Sequence, residues 1–94
     1  MKKRWSILNN LNYCYFCGKK SECIHEVFYG RNRQISINNG FCVGLCNYHH
    51  NFSNNESVHF NSEMDLKLKR TYQEEYEKTH TRDDFIKLID KSYL

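Results

Sequence analysis

The run Leu45-Cys46-Asn47-Tyr48-His49-His50 decides the fold of this chain. It follows an apolar, strand-like segment and offers one thiolate and two adjacent imidazoles. Two residues separate Cys46 from His49, and upstream the same gap separates Cys14 from Cys17. Together the two halves can close one tetrahedral site of three sulfurs and one nitrogen, which is a common ligand set for zinc.

Cys42 is the alternative to His49 as the fourth ligand, because three residues between Cys42 and Cys46 are also compatible with a metal site. The repeated two-residue gap favours His49. Outside a metal site, Cys23 and Cys42 are typical of small buried residues in strands. Four protein ligands leave no open position for a substrate, so the predicted zinc is structural.

The composition predicts one small domain with a thin apolar core. The chain has 94 residues, of which 39% are hydrophobic and 27% charged, and its mean hydropathy is −0.83. At this size a structural metal is a common source of stability, because its binding free energy becomes folding free energy. A formal charge of +3 is mildly basic and only weakly indicates a polyanionic partner.

The cysteine count and the absence of long apolar runs bear on location. Five cysteines without an export signal favour reduced, metal-binding thiols over a disulfide framework. No run approaches the roughly 18 apolar residues of a membrane helix. We therefore expect a cytoplasmic protein with no membrane association and no small-molecule cofactor.

The periodicity predicts an α+β domain in three parts: an N-terminal arm (1–12), a zinc knuckle with a ββα core (14–60) and C-terminal helices (62–94). β-branched and aromatic residues predict strands at Cys23–Tyr29 and Phe41–Leu45. Between them, Asn39-Gly40 predicts a turn, and Ile35–Ile37 is either extended or a helical turn.

Three helices are expected after the second strand. The first runs from Cys46 to about Asn55. The second begins with a possible capping box at Ser62–Asp65 and ends near Lys78, and the third follows a capping box at Thr81–Asp84. The apolar residues predicted to be buried on the last two helices are Met64, Leu68, Tyr72, Tyr76, Phe85, Ile86, Leu88 and Ile89.

A second, open metal site is a further hypothesis. If His49 binds zinc, His50 points elsewhere on its helix, where His25-Glu26 on the first strand and Asn54 or His59 can join it. A divalent cation beside a general base suits phosphodiester hydrolysis. Taken alone, His25 is more typical of a half-buried strand histidine and Glu26 of a solvated residue.

Basic residues supply candidates for nucleic-acid contacts. Arg31 and Arg33 can contact phosphates without reading base sequence. Lys19 and Lys20 are better explained as ordinary solvated surface.

The ordered set of motifs resembles the HNH (ββα-metal) endonucleases, and in particular the small phage-encoded type with a zinc knuckle. The motifs are Cys14-x2-Cys17, the run His25–Arg33, Leu45-Cys46-x2-His49-His50, and Val58-His59. The resemblance implies cleavage of DNA with Mg²⁺ or another divalent cation, in the cytoplasm of a bacterial host.

By position, the resemblance assigns His25 to the catalytic strand and His50 and Asn54 to the metal-binding helix. Asn39, or else Asn38, matches the asparagine that braces the loop between them.

The sequence departs from the family pattern at Glu26, which stands where the general-base histidine is usual. Either Glu26 is the base, or the register shifts so that His25 is the base and Glu26 a ligand, or cleavage is impaired. Carboxylates are poorer bases than imidazole near neutral pH, which favours His25.

Three functions are therefore compatible with the sequence. The first is a metal-dependent DNA endonuclease or nickase. The second is a zinc-stabilised nucleic-acid-binding module that does not cut, and the third and weakest is a zinc-knuckle adaptor for protein partners. The open metal site separates the first from the others.

Overall fold

The computed structural model describes residues 4–50, 57–58 and 61–94. Two antiparallel strands, β1 (Cys23–Glu26) and β2 (Cys42–Leu45), form the sheet. The helices are α1 (Arg33–Asn39), which follows a 3₁₀ turn at Gly30–Asn32, then α2 (Asn47–His50), α3 (Ser62–Tyr76) and α4 (Arg82–Ile89). The protein is α+β, as predicted, and two antiparallel strands followed by a helix are compatible with a zinc-binding ββα fold. The predicted extension of α2 to Asn55 lies outside the described residues.

β1 ends at Glu26 and not at Tyr29 as predicted. The Val27 amide still donates to the Phe41 carbonyl, but both backbone groups of Phe28 bond to the hydroxyl of Ser36 in α1. A side chain has replaced the opposite strand as hydrogen-bond partner, so the ladder stops there.

The segment between the strands is helical, which settles the alternative left open at Ile35–Ile37. Helix α1 is capped by Gly40, whose φ of 75° is left-handed and whose amide donates to the Ser36 carbonyl. This position favours glycine, because any Cβ there is strained. The Asn39-Gly40 signal therefore marks a helix end rather than a two-residue hairpin loop.

The N-terminal arm packs along β2. Ser6 forms a bridge with Phe41, and the Asn9 side chain accepts a hydrogen bond of 2.8 Å from the Gly44 amide. A Cβ on Gly44 would lie only 2.6 Å from the Leu11 carbonyl oxygen. Glycine at this position thus allows the arm to approach the strand closely.

The caps of the two long helices confirm one prediction and correct another. Thr81 and Asp84 form a reciprocal capping box at α4, as predicted. At α3 the cap is Asn61, whose side chain accepts from the amides of Glu63 and Met64. The predicted box beginning at Ser62 is wrong, because asparagine, an equally good N-cap, stands one residue earlier.

The core is an aromatic cluster between the sheet and the last two helices. The Phe41 ring, fully buried, contacts Phe28, Tyr72 and Phe85 at centroid distances of 5.2, 6.5 and 6.2 Å. The predicted stripe on α3 does face this core. On α4 the expected burial of Ile86 is wrong, because Ile86 lies off the face shared by Phe85 and Ile89 and is 37% exposed.

Candidate metal centre and adjacent histidine pair

The segment predicted to be a zinc knuckle forms a tight turn. The Gly18 amide donates to the Cys14 carbonyl at 2.9 Å, and the Cys14 amide donates to the Lys19 carbonyl at 2.7 Å. Gly18 has a φ of 75°, which glycine adopts without steric cost. The turn holds Cys14 and Cys17 at one end of the sheet.

The second half of the site begins where β2 ends. The Cys46 carbonyl accepts hydrogen bonds from the amides of His49, at 3.1 Å, and His50, at 3.0 Å. These bonds form the first turn of α2, which brings the side chain of His49 next to that of Cys46. One short helix therefore carries a metal-ligand candidate and, directly after it, His50.

The four predicted zinc ligands converge. The ligand atoms of Cys14, Cys17, Cys46 and His49 all lie within 4.8 Å of one another. The Cys17 and Cys46 sulfurs are 3.7 Å apart, and His49 Nδ1 is 3.6 Å from the Cys14 sulfur and 3.3 Å from the Cys46 sulfur.

These spacings suit a tetrahedral zinc ion. Zn–S bonds of about 2.3 Å and Zn–N bonds of about 2.0–2.1 Å place tetrahedral ligands roughly 3.5 to 3.8 Å apart. The donor set and its geometry can therefore hold zinc, with His49 binding through Nδ1. The ligands come from segments about 30 residues apart in the chain, so the ion would join the N-terminal knuckle to α2.

Cys42, the alternative to His49, lies outside this cluster. Its side chain is fully buried beside the Ser36 carbonyl. Burial raises the pKa of Cys42 and of Cys23 to about 11, so both thiols stay protonated at neutral pH. At Cys14 burial also acts to raise the pKa, but backbone hydrogen bonds outweigh it and the pKa falls below its usual value.

Two further histidines lie next to this centre. His25 is buried on β1, opposite Val43, and its ring centroid is 5.3 Å from that of the half-buried His50. The structure thus brings together the two histidines that the sequence assigned to an open metal site. The other two candidates, Asn54 and His59, lie outside the described residues.

The side chain of Glu26 lies on the opposite face of β1 from that of His25, because neighbouring residues of a strand face opposite sides. Its two carboxylate oxygens accept hydrogen bonds from Arg4, at 2.8 Å, and Arg33, at 3.0 Å. Burial acts to raise the pKa of Glu26, but the two guanidinium groups outweigh it and lower the pKa. The Glu26 carboxylate is therefore held between two arginines, and its side chain is not the solvated one expected from the sequence taken alone.

The amide of Asn39, the proposed bracing residue, donates to the Ile35 carbonyl within its own helix. Asn32 instead joins separate elements, through a hydrogen bond of 3.1 Å to the Ile89 carbonyl. Arg31 forms an exposed ion pair with Asp90. Sequence patterns could not reveal these partners, since the Asn32, Arg31 and Arg4 contacts are all distant along the chain.

We expect Glu26→Gln to destabilise the fold by roughly 1 kcal/mol, since it removes two ion pairs at a partly exposed site. Folding lowers the pKa of Glu26, so the charged carboxylate stabilises the folded state. This contribution to the free energy of unfolding is fully present above the pKa that Glu26 has in the unfolded chain, and it is lost as the pH falls through the lower pKa of the folded protein. Urea unfolding at pH 7 in low and in high salt checks the role of the charge, because a pH low enough to protonate Glu26 would also release the structural zinc. Equal destabilisation at both salt concentrations would contradict that role, and Glu74→Gln serves as an exposed control.

Comparisons of the chain with protein-family models, curated proteins and solved structures find no match. In the described parts of the chain, no helix combines the length and the apolar character needed to cross a membrane.

Proposed function

We propose that this protein is a metal-dependent DNA endonuclease or nickase of the HNH type, encoded by a phage or prophage and acting in the bacterial cytoplasm. The observation that carries the proposal is the His25–His50 pair, with ring centroids 5.3 Å apart beside the cysteine–histidine cluster. The zinc-binding motifs and the ββα order are compatible with it.

The pair has the chemistry that phosphodiester hydrolysis needs. A neutral imidazole has a ring nitrogen that can accept a proton, so His25 can take a proton from water, while His50 can act as a metal ligand. A divalent cation bound there would neutralise charge on the scissile phosphate and the leaving oxygen. An imidazole donor such as His50 suits transition metals such as Ni²⁺ better than Mg²⁺.

A plasmid nicking assay tests the proposal. We expect conversion of supercoiled DNA to the nicked or linear form with at least one of Mg²⁺, Mn²⁺ or Ni²⁺, and none in excess chelator applied briefly enough to leave the structural zinc bound. Zinc content is measured on the same samples. Intact plasmid with every cation, from protein that retains zinc, would reject the endonuclease.

Glu26 favours a second candidate function, a zinc-stabilised nucleic-acid-binding module without cleavage. This residue stands where the family has its general base, yet its carboxylate is held by Arg4 and Arg33. The binding module would bind DNA in the same assay and leave it intact.

Both candidates need phosphate contacts, which we assign to Arg31 and Arg33. Their side chains are 77% and 56% exposed, so each guanidinium retains N–H groups for a phosphate besides its ion pair. We expect Arg31→Ala with Arg33→Ala to weaken duplex binding and to reduce the log–log salt slope by up to about 1.8, or about 0.9 per contact.

Fluorescence anisotropy at several salt concentrations measures this slope. Arg82→Ala is the matched control, because Arg82 is also exposed and ion-paired, with Glu77. An unchanged salt slope in the double variant would show that neither arginine contacts a phosphate and that both are ordinary solvated surface residues.

A further inference from the structure

Tyr29 is half exposed, yet it is held at several points. The residue is 48% exposed, while its hydroxyl donates to the Asp65 carboxylate at 3.1 Å and accepts from the Lys69 ammonium at 3.3 Å. The same ammonium lies 4.3 Å from the ring centroid, a cation–π distance. A surface tyrosine without a structural role would not be expected to make all of these contacts.

The groups that hold Tyr29 form a stable anchor on α3. Asp65 and Lys69 are one turn apart and form an ion pair of 2.8 Å, with side chains only 15% and 12% exposed. An ion pair shielded from water is screened less than one on the open surface. The anchor thus fixes the Tyr29 hydroxyl relative to the long helix.

The other end of Tyr29 reaches the histidine pair. Its ring centroid is 5.9 Å from that of His25, with planes inclined at 54°, within the range of aromatic contacts. The His25 ring therefore has Tyr29 as one neighbour and His50 as another. A continuous series of contacts runs from α3 through Tyr29 to the site.

We propose that Tyr29 is a positioning residue for His25, and that Asp65 and Lys69 hold Tyr29 in place. The catalytic consequence rests on the proposed endonuclease function, whereas the effect on the His25 ring does not. Proton transfer depends steeply on geometry, and a displacement of about 1 Å can cost roughly 100-fold in rate.

The experiment compares Asp65→Asn and Tyr29→Ala with wild type, using the full chain purified with zinc. Side-chain NMR relaxation of ¹³C-labelled histidine reports the mobility of the His25 ring without DNA or added cation. Nicking kinetics give kcat and KM. The controls are Asp83→Asn, which also lies in the first turn of a helix, and Tyr13→Ala, which removes another exposed tyrosine.

We expect both variants to increase His25 ring mobility and to lower kcat about ten- to hundredfold with KM unchanged. The controls should match wild type, and Tyr29→Phe, which keeps the ring, should fall between. An unchanged His25 relaxation in both variants overturns the proposal, even if kcat falls. If wild type cuts no DNA, the endonuclease fails, and the relaxation data alone still decide the role of Tyr29.

Discussion

Cys46→Ser should leave the chain largely unfolded and without zinc. Apparent binding free energies of structural zinc are about 10–16 kcal/mol, as large as the whole stability of an ordinary domain, about 5–15 kcal/mol. Cys46 occupies the junction between β2 and α2, and its sulfur lies 3.7 Å from Cys17 and 3.3 Å from His49. Serine is a poor zinc ligand, so the link between the knuckle and the sheet would be lost.

Elemental analysis and the dispersion of amide NMR signals measure this outcome. Cys23→Ser is the matched control, because Cys23 is half buried and its thiol contacts the Leu45 carbonyl rather than the cluster. We expect the control to keep one zinc per chain and a folded spectrum. A well-dispersed spectrum of Cys46→Ser, or of zinc-free wild type, would contradict a structural metal.

The candidate zinc cluster could be predicted from the sequence because its geometry is local. Each half of the site needs two side chains a fixed short distance apart, and a gap of two residues within a turn supplies it. The choice of His49 over Cys42 followed from the same gap. In the structure His49 belongs to the cluster that could hold the metal, whereas Cys42 is buried in the core beside Ser36.

The end of β1 could not be predicted from the local sequence, because it depends on a contact with a side chain outside the strand. The run to Tyr29 has strand composition throughout, but Ser36 captures both backbone groups of Phe28 from eight residues away. The same limit applies at α3. Asn61 and Ser62 are both residue types that cap helices well, and in the structure Asn61 is the cap.

The surroundings of the histidine pair were the least predictable part of the site. Strand alternation separated His25 from Glu26, but it could not supply the partners of Glu26, which include Arg4, 22 residues away. Tyr29 reaches Asp65 across 36 residues. Such ties between distant segments are fixed by the packing of the arm and of α3 against the sheet, not by any periodicity.

Substitution of either histidine of the pair should have a second large effect, on DNA nicking. We expect His25→Ala and His50→Ala each to reduce DNA nicking by at least about 100-fold, the usual contribution of a general base or a metal ligand. His25 lies on β1 and His50 on α2, with ring centroids 5.3 Å apart, so both side chains can act on one phosphate.

Zinc content, fold and most DNA affinity should persist in both variants, because neither residue belongs to the cysteine–histidine cluster and phosphate contacts elsewhere supply binding. Anisotropy and elemental analysis on the same samples check this. His80→Ala is the control, since His80 is exposed in the segment between α3 and α4 and stacks on Tyr76.

The two variants also separate the candidate functions. Loss of nicking with retained binding supports the endonuclease and places its chemistry at the pair. Full nicking by both variants would show that these histidines do not form the catalytic site. A wild type that binds DNA but nicks it with none of the cations would favour the zinc-stabilised binding module, in which the His25–His50 contact serves only to pack α2 on the sheet.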